Sequence, residues 1–215
     1  MSDRESIEYN YIESLLPERS AFFQDLEREA LQKNIPIMDP EGMQVLLTIL
    51  EIHQPLKILE IGTAVGYSAL RMLEVLPEAE IITMERDPVM AEAAERNIER
   101  AGESARVRII RGDALESVQQ AAAHAPFDVL FIDAAKGQYE KFFQLYEPLV
   151  HRGGLILSDN VLFKGYVSGQ EPVKTRSVRS MVSKLREYNE NLMNNPRFAS
   201  SLLSAGDGLM VTRKR

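Results

Sequence analysis

The sequence predicts an α/β fold: a seven-stranded, mostly parallel sheet with helices on both faces and a C-terminal antiparallel hairpin. From Lys57 to Ser158, short apolar runs alternate with segments of helical period, the order that a parallel sheet requires. The first apolar run ends in a glycine turn, Gly62 to Gly66, that leads straight into a helix. The last two apolar runs flank Ala205-Gly206-Asp207-Gly208, a hairpin signal. A chain of 215 residues suits one domain, with N-terminal helices over 1–53 and the sheet core over 57–215.

Pro17 to Asn34 carries Phe22, Phe23, Leu26 and Ala30 at helical spacing. Asp39-Pro40-Glu41 starts a second helix, which runs to about Ile52: a capping side chain, proline in the first turn and an acid at the positive end. The core then reads as strand 57–61, helix 67–76, strand 80–85, helix 88–101, strand 106–110, helix 114–123, strand 127–133, helix 138–149 and strand 154–158. Asp87-Pro88 opens the second core helix and Ala101-Gly102 closes it, while Pro126 and Gly153-Gly154 mark the later strand entries. After a loop from Asn160 to Pro172, Val173 to Met193 reads as a long amphipathic helix. Strands near 198–204 and 208–213 end the chain, one of them antiparallel to the rest.

The turn after the first strand, with Glu85 one βα unit later, has the outline of a nucleoside-binding unit. Glycines let backbone approach a ligand, and a carboxylate at the end of the second strand takes ribose hydroxyls. The spacing is Glu60-x-Gly62-x-x-x-Gly66, looser than a pyrophosphate needs. With an acidic Glu60 directed at the ligand, it suits a cofactor that lacks phosphates and has a cationic end, S-adenosylmethionine. Gly112-Asp113-Ala114 ends the third strand: Asp113 can accept from an adenine amino group, cap the following helix, or do both, and Ala114 offers a backbone N–H.

Two further strands end in carboxylates. Phe127 to Ile132 leads to Asp133, with Lys136 three residues on, and Leu155 to Ser158 leads to Asp159-Asn160. In an open α/β sheet ligands gather at the carboxyl ends of strands, so these residues are expected on the same rim as Glu60 and Glu85. Two carboxylates and an amide oxygen form a hard, all-oxygen set that selects magnesium, manganese or calcium over zinc. Beside a divalent ion in a partly closed site, Lys136 is the candidate to accept a proton. Turn formation at Asp159-Asn160 and helix capping by Asp133 are the duller alternatives. Asp128, at a strand start, reads as exposed, and His53, His124 and His151 have no partner at ligand spacing.

Zero cysteines exclude disulfides, thiolate metal sites and a cysteine nucleophile. No apolar run approaches a membrane span, and the polar Met1-Ser-Asp-Arg-Glu start is unlike a secretory signal, so a cytoplasmic location is the expectation. The net charge of −7 argues against non-specific nucleic-acid binding, yet it is unevenly spread. Lys164 to Arg186 holds six bases (Lys164, Lys174, Arg176, Arg179, Lys184, Arg186) against Glu171 alone, a solvated helix face or a phosphate-tracking strip.

Together these motifs resemble the cation-dependent class I O-methyltransferases, the group that contains catechol and caffeoyl-coenzyme A O-methyltransferases. The likeness runs from about Asn34 to Val211. It is carried by Ile37-Met38-Asp39, Glu60 to Ser68, Glu85, Gly112-Asp113-Ala114, Asp133-Ala-Ala-Lys136, Asp159-Asn160 and Gly206-Asp207-Gly208-Leu209. The resemblance implies a Rossmann-like class I methyltransferase domain. It implies S-adenosylmethionine contacts from Met38, Gly62, Ser68, Glu85, Asp113 and Ala114, with Glu85 on the ribose and Ser68 near the methionine end. Asp133 would serve both the metal, most simply Mg2+, and the cofactor's amino group, Asp159 and Asn160 would complete the metal ligands, and Lys136 would be the general base. A homodimer is implied as well.

Among bacterial members the chain is most similar to enzymes that methylate 5-hydroxyuridine at the tRNA wobble position. It has no tryptophan to grip a catechol ring, which disfavours a flat small molecule. Catechol and 5-hydroxyuracil both present two neighbouring oxygens that close a five-membered chelate, so one site chemistry serves either. An unpaired anticodon-loop base enters such a pocket without duplex opening. Phe163 and Tyr166 are placed to stack on it, and Lys164, Lys174, Arg176 and Arg179 to meet the flanking phosphates. The small-molecule alternative is a catechol or hydroxycinnamate acceptor.

Overall fold

The computed structural model describes residues 10–173 and 175–215. Its seven strands are β1 (Lys57–Ile61), β2 (Glu80–Glu85), β3 (Val107–Arg111), β4 (Phe127–Ile132), β5 (Val150–Ser158), β6 (Phe198–Leu203) and β7 (Leu209–Lys214). They form one sheet in the order β3-β2-β1-β4-β5-β7-β6. β1 to β5 are parallel, while β7 runs antiparallel to both β5 and β6, as the sequence predicts. The strand order reverses direction between β1 and β4, and that is where an α/β sheet opens a crevice.

Among the described residues, these helices cover the sheet: α1 (Ala21–Gln32), α2 (Pro40–His53), α3 (Tyr67–Val75), α4 (Pro88–Ala101), α5 (Val118–Ala122), α6 (Tyr139–Tyr146) and α7 (Arg176–Asn194). Residues 10–15 are also helical. The period-2 rule divides the core in two. Ile58, Ile81, Val129, Phe131, Leu155 and Leu157 face α1 to α4 through Leu26, Leu46, Leu50, Leu70, Leu73 and Ile98. Leu59, Ile61, Ile82, Leu130, Ile132 and Ile156 face α6 and α7 through Tyr139, Phe143, Tyr146, Leu185 and Leu192. A one-residue slip of β4 would exchange Phe131 for Ile132 across the sheet, so the register is strongly fixed.

The helix starts form as their sequence dictates. Asp39 accepts from Gly42 N at 2.9 Å, with Pro40 in the first turn of α2. Asp87 accepts from Val89 N at 2.8 Å above Pro88 of α4.

Three boundaries differ from the reading of the sequence. The helix expected over 114–123 shrinks to Val118–Ala122, because Asp113 and Ser117 spend their hydrogen bonds on turns before it. β5 begins at Val150, before the glycines. Gly153 (φ 89°) and Gly154 instead form the irregularity that shifts pairing between Phe127 and Val129. α7 starts at Arg176, where Thr175 caps it through Val178 N.

Asp128 is half-buried rather than exposed. Its carboxylate accepts from Leu56 N (2.8 Å) and Lys57 N (2.7 Å) and lies 2.9 Å from His151 Nε2, tying the start of β1 to β4 and β5. No helix among the described residues is long and apolar enough to cross a membrane.

Candidate active site

A cavity of about 300 Å³ opens over the carboxyl ends of β1, β2, β4 and β5. Its walls bring together ten of the eleven residues predicted for the site: Met38, Gly62, Ser68, Glu85, Asp113, Ala114, Asp133, Lys136, Asp159 and Asn160.

On one side the backbone turns sharply after β1. Gly62 N and Thr63 N both donate to Met84 O at 3.1 Å, which locks the turn to β2. Gly62 sits at φ 107°, and a Cβ there would stand 1.9 Å from the carbonyl oxygen of Asp133, so only glycine fits. Glu85 holds the turn from the other direction: Oε2 accepts from Ala64 N and Oε1 from Asp87 N, each at 2.8 Å. An ionised carboxylate keeps further lone pairs after two such bonds, so Glu85 can still receive ribose hydroxyls. Asp113 caps locally, accepting from Leu115 N at 2.9 Å, and its neighbour Ala114 is fixed by the Tyr146 hydroxyl on its carbonyl at 2.5 Å.

Glu60 requires a correction. It does not line the cavity but lies fully buried beneath it. Ser68 Oγ and Thr83 Oγ1 donate to its two oxygens, each at 2.5 Å, and Thr63 Oγ1 lies 2.6 Å from Thr83 Oγ1. Burial pushes its carboxyl up to about 7 against the lowering effect of those two hydroxyls, and the nearby acids Asp133 and Glu85 add to the rise. The reason lies in strand geometry: Glu60 sits between Leu59 and Ile61 and shares the sheet face of Thr83, so its side chain enters the interior and not the rim. Ser68 therefore turns its hydroxyl to Glu60, although the residue itself borders the cavity.

On the other side, Lys136 Nζ donates to Asn160 Oδ1, and Asn160 Nδ2 donates to Asp159 Oδ2 at 2.8 Å. Asn160 is in the left-handed region (φ 55°), which asparagine tolerates better than most residues. The Tyr139 hydroxyl donates to Asp159 O at 2.9 Å and steadies the end of β5. Asp159 Oδ1 is buried with no hydrogen-bond partner. Burial raises both carboxyls of the pair, Asp159 to about 8 with added repulsion from Asp133, while Lys136 acts to lower each.

A divalent cation fits this set. The buried Asp159 and the half-buried Asp133, which repel each other, an orphaned carboxylate oxygen and an amide oxygen offer what a hard ion coordinates. Among the described residues no third His, Cys, Asp or Glu joins them, so solvent and substrate oxygens would supply the rest of the shell.

Several lining residues escaped the sequence reading. Tyr67 borders the cavity and donates from its hydroxyl to Glu27 Oε1 of α1 at 2.7 Å, so α1 reaches the helix that follows the Gly62–Gly66 turn. Its position as first residue of α3 was the available signal. Gln138 also lines the cavity with a buried, unpartnered Oε1, and nothing in its sequence surroundings marks it. Beside the mouth, the rings of Phe163 and Tyr166 pack 5.5 Å apart, and Lys136 Nζ lies 5.9 Å from the Phe163 centroid. Lys164, Arg176, Arg179 and Lys184 are exposed. Arg186 is engaged with the loop, donating to Val167 O at 2.8 Å, and Lys174 lies outside the described residues.

Known proteins place this arrangement. The sequence pattern of a family described as O-methyltransferase matches residues 13–215. A catechol O-methyltransferase of Niastella koreensis is 34% identical over 169 residues, covering 77% of this chain and 74% of its own. Caffeoyl-CoA O-methyltransferase 1 of Arabidopsis thaliana is 30% identical over 217 residues, 96% of this chain and 83% of its own. Among solved structures, a Staphylococcus aureus relative superposes with a TM-score of 0.91 at 34% identity, covering 97% of this chain and all of the other. A Bacillus cereus O-methyltransferase in complex with SAH gives 0.82 at 28% identity over 96% of both chains. The chain belongs to the S-adenosylmethionine-dependent O-methyltransferase family that includes catechol and caffeoyl-CoA O-methyltransferases.

Proposed function

We propose that this protein is a magnesium-dependent O-methyltransferase that converts 5-hydroxyuridine at the tRNA wobble position to 5-methoxyuridine. The observation that carries the reading is the meeting, in one cavity, of a nucleoside-binding side (Met38, Glu85, Asp113, Ala114) and an oxygen-rich side with an amine (Asp133, Asp159, Asn160, Lys136). When bound, S-adenosylmethionine supplies a methyl group on a sulfonium, and the divalent ion lowers the pKa of an acceptor hydroxyl. Asp133, Asp159 and Asn160 would hold the ion, and Glu85 would hold the ribose. Lys136, seated on Asn160, takes the hydroxyl proton. The cavity walls bring donor and acceptor together, which alone supplies a large rate factor.

For tRNA, support comes from the aromatic pair Phe163 and Tyr166 beside Lys136 and from the exposed bases Lys164, Arg176 and Arg179 on the same stretch of chain. A second reading, a catechol or hydroxycinnamate acceptor, is favoured by the names of the curated relatives. A homodimer would cover apolar side chains such as Leu31, Ile52 and Leu56, all well exposed in the single chain.

Purified protein incubated with labelled S-adenosylmethionine and tRNA from cells lacking the protein discriminates between the two acceptors. The expected product is 5-methoxyuridine by mass spectrometry, with tRNA affinity falling steeply as salt rises. Methylation of catechol with none of tRNA would transfer the conclusion to the second reading.

A further inference from the structure

Gly206-Asp207-Gly208 closes the β6–β7 hairpin, with Gly208 N donating to Ala205 O at 3.0 Å, and hairpin closure would be role enough. Yet each of the three residues is engaged outside the hairpin. Gly206 (φ 55°) lies against the capping carboxylate of Asp39, where a Cβ would meet Oδ2 at 2.0 Å. The Asp207 carbonyl accepts from Leu162 N at 3.0 Å, and its carboxylate accepts from Lys164 N. The Gly208 carbonyl accepts from Val161 N at 3.0 Å, and a Cβ on Gly208 would stand 2.8 Å from Leu162 N.

The turn thus takes the amides of Val161, Leu162 and Lys164, while Phe163 N goes to Asn160 O at 3.2 Å. That segment runs from Asn160, on the oxygen-rich side of the cavity, to the Phe163 ring above Lys136. It contains three non-glycine residues at positive φ: Asn160 (55°), Phe163 (45°) and Lys164 (53°). Each such conformation is strained for a residue that carries a Cβ, least so for asparagine. A segment with three of them persists only where outside contacts over-determine it, and here the contacts come from the hairpin turn.

We propose that Asp207 is a positioning residue for the acceptor side: it clamps residues 161–164 so that Asn160 and Phe163 stand correctly over Lys136. The inference deepens the function proposed above and rests on it for the identity of the acceptor. The clamp itself does not depend on that identity.

The test compares Asp207→Ala and Asp207→Asn in the full chain, loaded with SAH. In Asp207→Ala, hydrogen exchange at the Lys164 amide is expected to quicken by about tenfold or more, the loss of a bond to a charged acceptor. Calorimetric affinity for Mg2+ and the KM for the acceptor (tRNA or catechol) are expected to worsen by a similar factor, while SAH affinity stays within about twofold. Asp207→Asn keeps an oxygen for the Lys164 amide and should restore all of these. Unchanged exchange, faster exchange with Mg2+ affinity unmoved, or SAH affinity falling in step with Mg2+ affinity would each overturn the proposal. If the wild-type protein methylates neither acceptor, the function proposed above fails, and exchange with Mg2+ affinity still decides the clamp.

Discussion

Replacing Glu60 by Gln should make the protein more stable at neutral pH and remove one component of its pH dependence. The Glu60 carboxyl is fully buried and rises from an ordinary 4.5 to about 7. In the folded protein it keeps its proton to near pH 7, whereas in the unfolded chain it loses it near 4.5. Between those values the folded state binds more protons, so stability falls as pH climbs from about 4.5 to about 7 and is level above. At about 1.4 kcal/mol per pH unit, the loss comes to about 3 kcal/mol, and half that would still be measurable. Glutamine preserves the geometry: its oxygen accepts from Ser68 Oγ, and its amide donates to Thr83 Oγ1, whose hydroxyl can turn toward Thr63. Urea unfolding of both proteins at pH 5 and pH 8 measures the effect, because titrating groups that do not interact with Glu60 cancel in the difference. The gap should move by about 2.5 kcal/mol in favour of Glu60→Gln at the higher pH, roughly 5–10 °C in Tm for a chain of this size. A gap that stays constant with pH would refute the assignment of a neutral, buried Glu60.

Gly62→Ala drives a Cβ to 1.9 Å from Asp133 O at a φ of 107°, so a loss of at least about 3 kcal/mol is expected by urea unfolding. Asp159→Asn removes one of two repelling acids. The metal-free protein should gain at least about 1 kcal/mol at pH 7, because the Asp159 carboxyl, raised to about 8, weighs against folding as pH rises toward that value. Mg2+ is expected to raise the Tm of the wild type in thermal unfolding, and the same variant is expected to lose that rise. Lys136→Met should lower kcat by about 10²–10⁴-fold with SAH affinity unchanged by calorimetry, as expected for removal of a general base.

Much of this molecule could be read before its structure was known, because its signals are local. The β1 turn announces itself through Gly62 and Gly66, and the two proline-led helix starts are capped as expected. The acids at the ends of β4 and β5 converge because a parallel sheet puts like ends on one rim. What remained hidden depends on which way a side chain points or on distant contact. Glu60 faces inward because strand alternation places it beside Thr83 and beneath Ser68, a consequence of register and not of composition. The bond from Tyr67 to Glu27 joins residues 40 apart, and the hold of the hairpin turn on residues 161–164 crosses a similar span. The helix expected over 114–123 proved short because Asp113, read as its cap, and Ser117 close turns before it.

The reversal of strand order between β1 and β4 has a consequence for engineering. Apart from Asp133, which is expected to serve both, the residues that would grip the methyl donor lie between Met38 and Ala114, and those that would present the acceptor lie between Asp133 and Gly208. Each block is contiguous in sequence, and between them the chain passes through α5 and β4. A chimera spliced between residues 115 and 126 is therefore expected to take its acceptor preference from the C-terminal parent while keeping its affinity for SAH.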